Sequence, residues 1–173
     1  VAVGADGRLA VADLGRRCVH LYVPGESRYQ RVTGTEEEPL QSPVAVAFDE
    51  ANELFVSDSA GRVLGFDAAG NLRFTLRRAG ARSLARPTGL AYDRERKRLY
   101  VVDTLAAEID VFDDAGNFVS AFGSRGEGAG ELNFPTHVFC TSRGELYVTD
   151  AMNFRVQIFD PSGKVLGGFG RHG

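Results

Sequence analysis

Four aspartates, Asp13, Asp58, Asp103 and Asp150, recur along the chain at intervals of 45, 45 and 47 residues. Each one ends a short apolar run, as in Leu99-Tyr-Val-Val-Asp103. In the last three repeats a second run follows that ends in an aspartate, as in Arg155-Val-Gln-Ile-Phe-Asp160. A repeat of this length that holds four short strands is typical of one blade of a β-propeller. The sequence therefore predicts an all-β fold of four-stranded antiparallel blades.

Turn residues separate the predicted strands in each repeat. The segments Asp67-Ala-Ala-Gly70, Asp113-Asp-Ala-Gly116 and Asp160-Pro-Ser-Gly163 have the Asp and Gly that tight hairpin turns favour. The blades are expected at about residues 1–34, 35–80, 81–130 and 131–173, as one propeller segment. No part of the chain has a helical period.

The repeated motifs resemble the NHL repeat. They include Pro87-Thr-Gly-Leu-Ala and Asn153-Phe-Arg155-Val-Gln-Ile-Phe-Asp160. The resemblance covers essentially the whole chain and implies a six-bladed propeller whose first strands line a central channel. About four blades are present, so we expect a part of a longer chain; a closed four-bladed ring is the alternative. Isolated, such an array would expose the apolar faces of its end blades, and we expect missing blades or an oligomer to cover them.

The repeated aspartates suggest ion pairs that stabilise the blades. Asp58 is followed by Arg62 and Asp150 by Arg155, whereas the corresponding positions after Asp103 and Asp13 hold Glu108 and Cys18. Because similar residues recur in successive blades, a structural role is favoured over a catalytic one.

His137 is the most unusual residue of a predicted first strand. It stands where the other blades have Ala45 and Gly89. The peptidyl-hydroxyglycine amidating lyase resembles this propeller, and its channel zinc is held by histidines from several blades. A zinc site needs at least three converging ligands, whereas His20 lies in a third strand and His172 at the chain end. The acidic and amide ligands of gluconolactonase-type propellers also have no counterpart, so no metal or other cofactor is predicted.

Five arginines lie near the connection between the second and third repeats: Arg73, Arg77, Arg78, Arg82 and Arg86. They could contact phosphates, and some NHL propellers bind single-stranded RNA. However, Glu36, Glu37 and Glu38 lie on the same predicted rim, and Tyr29 is almost the only stacking aromatic there. A binding rim for protein, made of Tyr29, Arg77, Arg78, Arg82, Arg86 and His137, is therefore favoured over one for nucleic acid.

The chain contains no recognisable nucleophile with its base, and its formal charge of −3 indicates no general attraction to nucleic acid. Cys18 and Cys140 lie in distant repeats and are expected not to pair. The sequence thus predicts a non-catalytic protein-interaction or scaffold module. The alternatives are a channel-metal enzyme and an RNA-binding rim. The arginine-rich composition favours a bacterial source, and an extracytoplasmic location is slightly favoured over a cytoplasmic one.

Overall fold

The computed structural model describes residues 1–170 and contains four antiparallel sheets of four strands each. In every sheet the strands pair in chain order, so each sheet is one blade. The first blade comprises β1 (Ala2–Val3), β2 (Leu9–Asp13), β3 (Cys18–Tyr22) and β4 (Gln30–Val32). The second comprises β5 (Pro43–Phe48), β6 (Leu54–Asp58), β7 (Arg62–Phe66) and β8 (Leu72–Leu76).

The third blade follows a short hairpin, formed by β9 (Arg78–Ala79) and β10 (Arg82–Ser83). Its strands are β11 (Pro87–Asp93), β12 (Arg98–Asp103), β13 (Glu108–Asp113) and β14 (Phe118–Phe122). A parallel pair, β15 (Ser124–Arg125) and β16 (Glu131–Leu132), leads to the fourth blade. That blade consists of β17 (Pro135–Cys140), β18 (Leu146–Asp150), β19 (Arg155–Phe159) and β20 (Val165–Phe169), with one 3-10 turn at Ala151–Asn153. The predicted all-β propeller fold with four-stranded antiparallel blades is confirmed.

The turn chemistry agrees with the sequence. In the turn between β7 and β8, Asp67 Oδ1 accepts hydrogen bonds from the backbone N–H groups of Ala69 and Asn71 at 3.0 and 2.8 Å. Gly70 has φ +88° there, a conformation that favours glycine because other residues carry a Cβ atom. The corresponding turns of the third and fourth blades have Gly116 at +87° and Gly163 at +88°. The hairpins that the Asp and Gly residues predict are therefore formed.

The hydrophobic core lies between the blades. Three clusters of buried side chains join the first blade to the second, the second to the third and the third to the fourth. Within β6, Val56 packs toward the first blade and Phe55 toward the third, because successive side chains of a strand point to opposite faces. This two-sided burial explains why the second strands of the blades are nearly continuous apolar runs.

Polar contacts add to these interfaces next to the first strands. The Ser57 hydroxyl donates to the carbonyl oxygen of Thr88, which links the second and third blades. Thr88 Oγ1 donates to the carbonyl oxygen of Thr136 at 3.0 Å, and Thr104 Oγ1 donates to that of Pro135 at 2.7 Å. The first strands of adjacent blades are thus held side by side by hydrogen bonds from side chains.

Candidate functional site

Asp58 binds the backbone of the loop that enters its own blade. Its buried carboxylate accepts hydrogen bonds from the N–H groups of Gln41 and Ser42 at 2.8 and 2.9 Å. Arg62 lies 3.1 Å from the same carboxylate and 2.8 Å from Glu38. The aspartate therefore fixes the path between two blades as well as pairing with an arginine.

Asp150 has the same arrangement in the fourth blade. It accepts a hydrogen bond from the N–H of Asn133 at 2.6 Å, and Arg155 Nε lies 2.7 Å from its carboxylate. Arg155 also donates to the carbonyl oxygens of Gly128 and Glu131, at 2.7 and 2.9 Å. These contacts lie within the framework of the blade, in keeping with a structural role.

Arg82 differs most from its predicted place. Instead of extending from the rim, it reaches into the third blade and contacts Asp103 at 2.7 Å, Glu108 at 2.9 Å and Asp110 at 2.7 Å. It replaces the arginine that this blade lacks in its own third strand. Asp103 also accepts hydrogen bonds from the N–H groups of Ala85 and Arg86, both at 2.8 Å.

The ion-pair network of Arg82 has more negative than positive groups, since one guanidinium contacts three carboxylates. Burial raises the pKa of Asp110 to about 6 against the opposing effect of Arg82. Burial also lowers the pKa of Arg82, but hydrogen bonds to Asp110 and Asp103 outweigh it and hold that pKa above its usual range. Asp110 consequently takes up a proton at a higher pH than an ordinary aspartate does.

The other rim residues have varied surroundings. Arg77 donates to Glu38 at 2.7 Å, and Arg73 pairs with Glu53. Arg78 donates to the backbone of its own hairpin, and the guanidinium of Arg86 lies 5.9 Å from the ring centre of Phe134. Tyr29 immediately precedes the outer strand of the first blade and packs against His20 and Tyr22, so it lies apart from the arginine cluster.

The first strands of the four blades line an open groove of about 430 Å3. Its walls are residues 1–3, 44–48, 89–92 and 137–140. His137 is exposed in this groove, and its Nδ1 atom lies 3.2 Å from the hydroxyl of Thr136. Among the described lining residues, Cys140 is the only other side chain with a soft or imidazole donor; burial raises the pKa of its thiol to about 11. His172 lies outside the described residues.

One group of chemically active side chains escaped the sequence analysis. Asp13, Cys18 and His20 converge in the first blade, at the position where the other blades hold their aspartate and its cation. His20 Nε2 lies 3.0 Å from Asp13 Oδ2 and 3.6 Å from Cys18 Sγ. The signal was present, because Cys18 and His20 are two residues apart in one strand and therefore share a face. Both cysteines are free thiols, as expected.

Comparison with known proteins identifies the class of this chain. The family model DUF5128, described as a 6-bladed beta-propeller, matches residues 92–168, somewhat less than half of the chain. A search of curated proteins finds no significant match. In residues 1–170 there is no helix with the length and hydropathy needed to cross a bilayer. The chain thus has a β-propeller fold, while its assignment to the NHL repeat stays a prediction.

Solved structures with the same fold have diverse functions. A virginiamycin B lyase from Staphylococcus aureus is 11% identical, with a TM-score of 0.77 over 97% of this chain and 53% of the lyase. A gluconolactonase from Xanthomonas campestris is 21% identical, with a TM-score of 0.75 over 99% of this chain and 61% of that one. The structure of U3-55K is 16% identical, with a TM-score of 0.78 over 100% of this chain and 51% of U3-55K. This chain therefore spans about half to three fifths of these relatives, and the likeness concerns the fold alone.

Proposed function

We propose that this propeller segment is a non-catalytic module that binds a protein partner through one face. Neighbouring strands of a blade are antiparallel. The turn between the second and third strands therefore lies on the same face of the propeller as the start of the first strand, where the chain enters the blade. We call this the loop face; it consists of the turns β2–β3, β6–β7, β12–β13 and β18–β19 and the connections between blades. The opposite face carries the turns between the first and second strands.

The observation that supports this proposal is the placement of large apolar side chains. Leu14, Leu105 and Met152 lie in turns of the loop face in three different blades, and their exposed fractions are 58%, 49% and 56%. Among the described residues, the turns of the opposite face expose one large apolar side chain, that of Tyr29 in the turn between β3 and β4. Apolar anchors grouped on one rigid face, surrounded by polar residues, are typical of a protein-binding surface.

The charges of the loop face favour a protein over single-stranded RNA. Arg77 and Arg82 each pair with at least one carboxylate, so part of the positive charge of the arginine cluster on this face is already compensated. Arg73 pairs with Glu53, which lies in the β5–β6 turn of the opposite face. RNA binding depends on free cations and on several aromatic rings on which bases can stack. Beside Leu14, Leu105 and Met152, the described turns of the loop face expose one aromatic ring, that of Phe154.

The groove gives less support to an enzyme. A channel-metal lyase would need further ligands close to His137, and the described wall around it consists largely of Val, Ala and Phe residues. The protein-binding proposal, by contrast, requires only side chains that the described part of the chain already presents.

Site-specific photo-crosslinking in source cells tests the proposal. A photoreactive benzoylphenylalanine is placed at Leu105, on the loop face, and separately at Glu95, an exposed position of the opposite face. We expect a discrete protein adduct from position 105 that is absent from position 95 and is resistant to ribonuclease. The partner is then purified, and Leu105→Asp is expected to weaken its binding at least about tenfold, the loss typical of an interface anchor.

Three outcomes would overturn the proposal. They are equal adducts from both faces, a ribonuclease-sensitive adduct, and an unchanged affinity of the purified partner for Leu105→Asp. The second of these would favour the RNA alternative.

A further inference from the structure

We propose that Asp13, Cys18 and His20 form a binding site for a zinc-like divalent metal ion in the first blade. Their carboxylate, thiol and imidazole donor atoms all lie within 4.8 Å of one another. They are the one such group of three or more His, Cys, Asp or Glu side chains in the part of the chain that the structure describes. A thiolate, an imidazole and a carboxylate together are a ligand set that Zn²⁺ accepts.

The geometry favours a metal centre over a catalytic relay. In a Cys–His–Asp relay the thiol and the carboxylate contact different nitrogens of the imidazole ring. Here both approach the same atom, Nε2 of His20, at 3.6 and 3.0 Å. Metal–ligand bonds of about 2.0–2.3 Å place tetrahedral ligands roughly 3.3–3.7 Å apart, so two of the three spacings need little adjustment.

The charge arrangement of the blade also favours a cation at this place. At the corresponding positions, Asp58 and Asp150 pair with Arg62 and Arg155. Asp13 has only Arg16, whose side chain is 71% exposed, and faces a thiol and an imidazole inside the blade. A bound metal ion would supply the positive charge that a guanidinium supplies in the other blades.

The state of the side chains suits ligation. The backbone N–H of Arg16 donates to Asp13 Oδ1 at 2.9 Å and holds the carboxylate with its Oδ2 atom 3.0 Å from His20 Nε2. Nε2 of His20, the nitrogen that faces Cys18 and Asp13, is the imidazole atom available to the ion. Binding would release the Cys18 thiol proton to solvent as the sulfur–metal bond forms. Asp13 and His20 are partly exposed, which leaves a route for the ion.

Titration of the purified chain with Zn²⁺ and Co²⁺ tests the site. We expect one ion per chain, a near-ultraviolet band of thiolate-to-cobalt charge transfer, and a higher melting temperature with Zn²⁺. Cys18→Ser is expected to remove the band. It should also lower the affinity for Zn²⁺. The loss should exceed the roughly 10–100-fold that is typical when a residue that only orients a metal ligand is removed.

The chain provides matched controls. Cys140→Ser removes the other cysteine, and His137→Ala and His172→Ala remove the other histidines; each should bind Zn²⁺ like the unaltered chain. Asp13→Asn keeps the side-chain shape and should weaken binding, with far-ultraviolet circular dichroism as the check on folding. The proposal is overturned if the unaltered chain gives no charge-transfer band, or if the band survives Cys18→Ser or disappears with Cys140→Ser.

Discussion

Arg82 donates hydrogen bonds to both carboxylate oxygens of Asp110, with distances from Nη2 of 2.7 and 2.9 Å. The two residues are 28 positions apart, and Arg82 belongs to the hairpin that precedes the blade. The same guanidinium also contacts Asp103 and Glu108. One connecting segment thus contributes the cation on which the charge balance of the third blade depends.

Replacing Arg82 with methionine should destabilise the chain substantially. Asp103 and Asp110 are fully buried and would lose their common cation. Removal of one partner of a buried ion pair typically costs about 3–5 kcal/mol, and because Arg82 is 33% exposed we expect about 3 kcal/mol. Urea denaturation measures the free energy of unfolding. The exposed Arg78→Met is the control and should change it by less than about 0.5 kcal/mol.

Asp110 should make the stability of the chain depend on pH. Folding raises its pKa from the ordinary 3.8 to about 6, so between these values the folded state binds more protons than the unfolded state. Its contribution to the free energy of unfolding therefore falls as pH rises from about 4 to above 6.

The variant Asp110→Asn isolates this effect. Near pH 4 it should be about as stable as the unaltered chain, in which Asp110 is protonated. At pH 7.5 it should be more stable by roughly 2–3 kcal/mol, the equivalent of about two pKa units. Denaturant titrations of both proteins at the two pH values give the comparison. A difference between the proteins that is the same at pH 4 and 7.5 would contradict the assignment to Asp110.

The sequence predicted the blades better than the contacts between distant segments. Strands and turns recur with the period of Asp58, Asp103 and Asp150, so local patterns specify them. The role of Arg82 depends on a loop folding back over 21 to 28 residues, which no local period reveals. A hint existed, since three acids at positions 103, 108 and 110 require a cation from elsewhere. Likewise, Cys18 is fully buried, and its neighbours become clear only from the pairing of strands that places it opposite Asp13.

Asp58→Ala should destabilise the chain far more than the same substitution of an aspartate in an exposed turn. Its carboxylate accepts from two backbone N–H groups of the entering loop and from Arg62, all of which would lose a partner. We expect at least about 3 kcal/mol from the unpaired arginine and N–H groups together. Asp67→Ala, in the exposed turn after β7, is the control and should cost about 1 kcal/mol. Equal losses for the two variants would show that binding of the entering loop adds little.

Gly89→Ala should disturb the interface between the third and fourth blades. A Cβ atom at Gly89 would lie 2.7 Å from His137 Cα and 2.8 Å from the carbonyl oxygen of Thr136, and both are backbone atoms that cannot rotate away. We expect a loss of about 1–3 kcal/mol, as for other overpacked sites. Gly167→Ala is the matched control, because a Cβ there meets nothing within 4 Å. Thermal unfolding of both variants measures the difference in stability. If Gly89→Ala is as stable as the unaltered chain, the first strands of the two blades can move apart to accommodate the methyl group.

The hairpin of β9 and β10 has a consequence for how the chain could be divided. On the N-terminal side of Gly80, Arg77 forms an ion pair with Glu38. On the C-terminal side, Asp103 pairs with Arg82 and accepts hydrogen bonds from the N–H groups of Ala85 and Arg86. All carboxylates that contact Arg82 follow it in the chain. A backbone break between Gly80 and Ala81 would thus separate two fragments that each retain the side chains fixing their own new end. This peptide bond is the place at which to split the protein for complementation assays, or to open it for circular permutation.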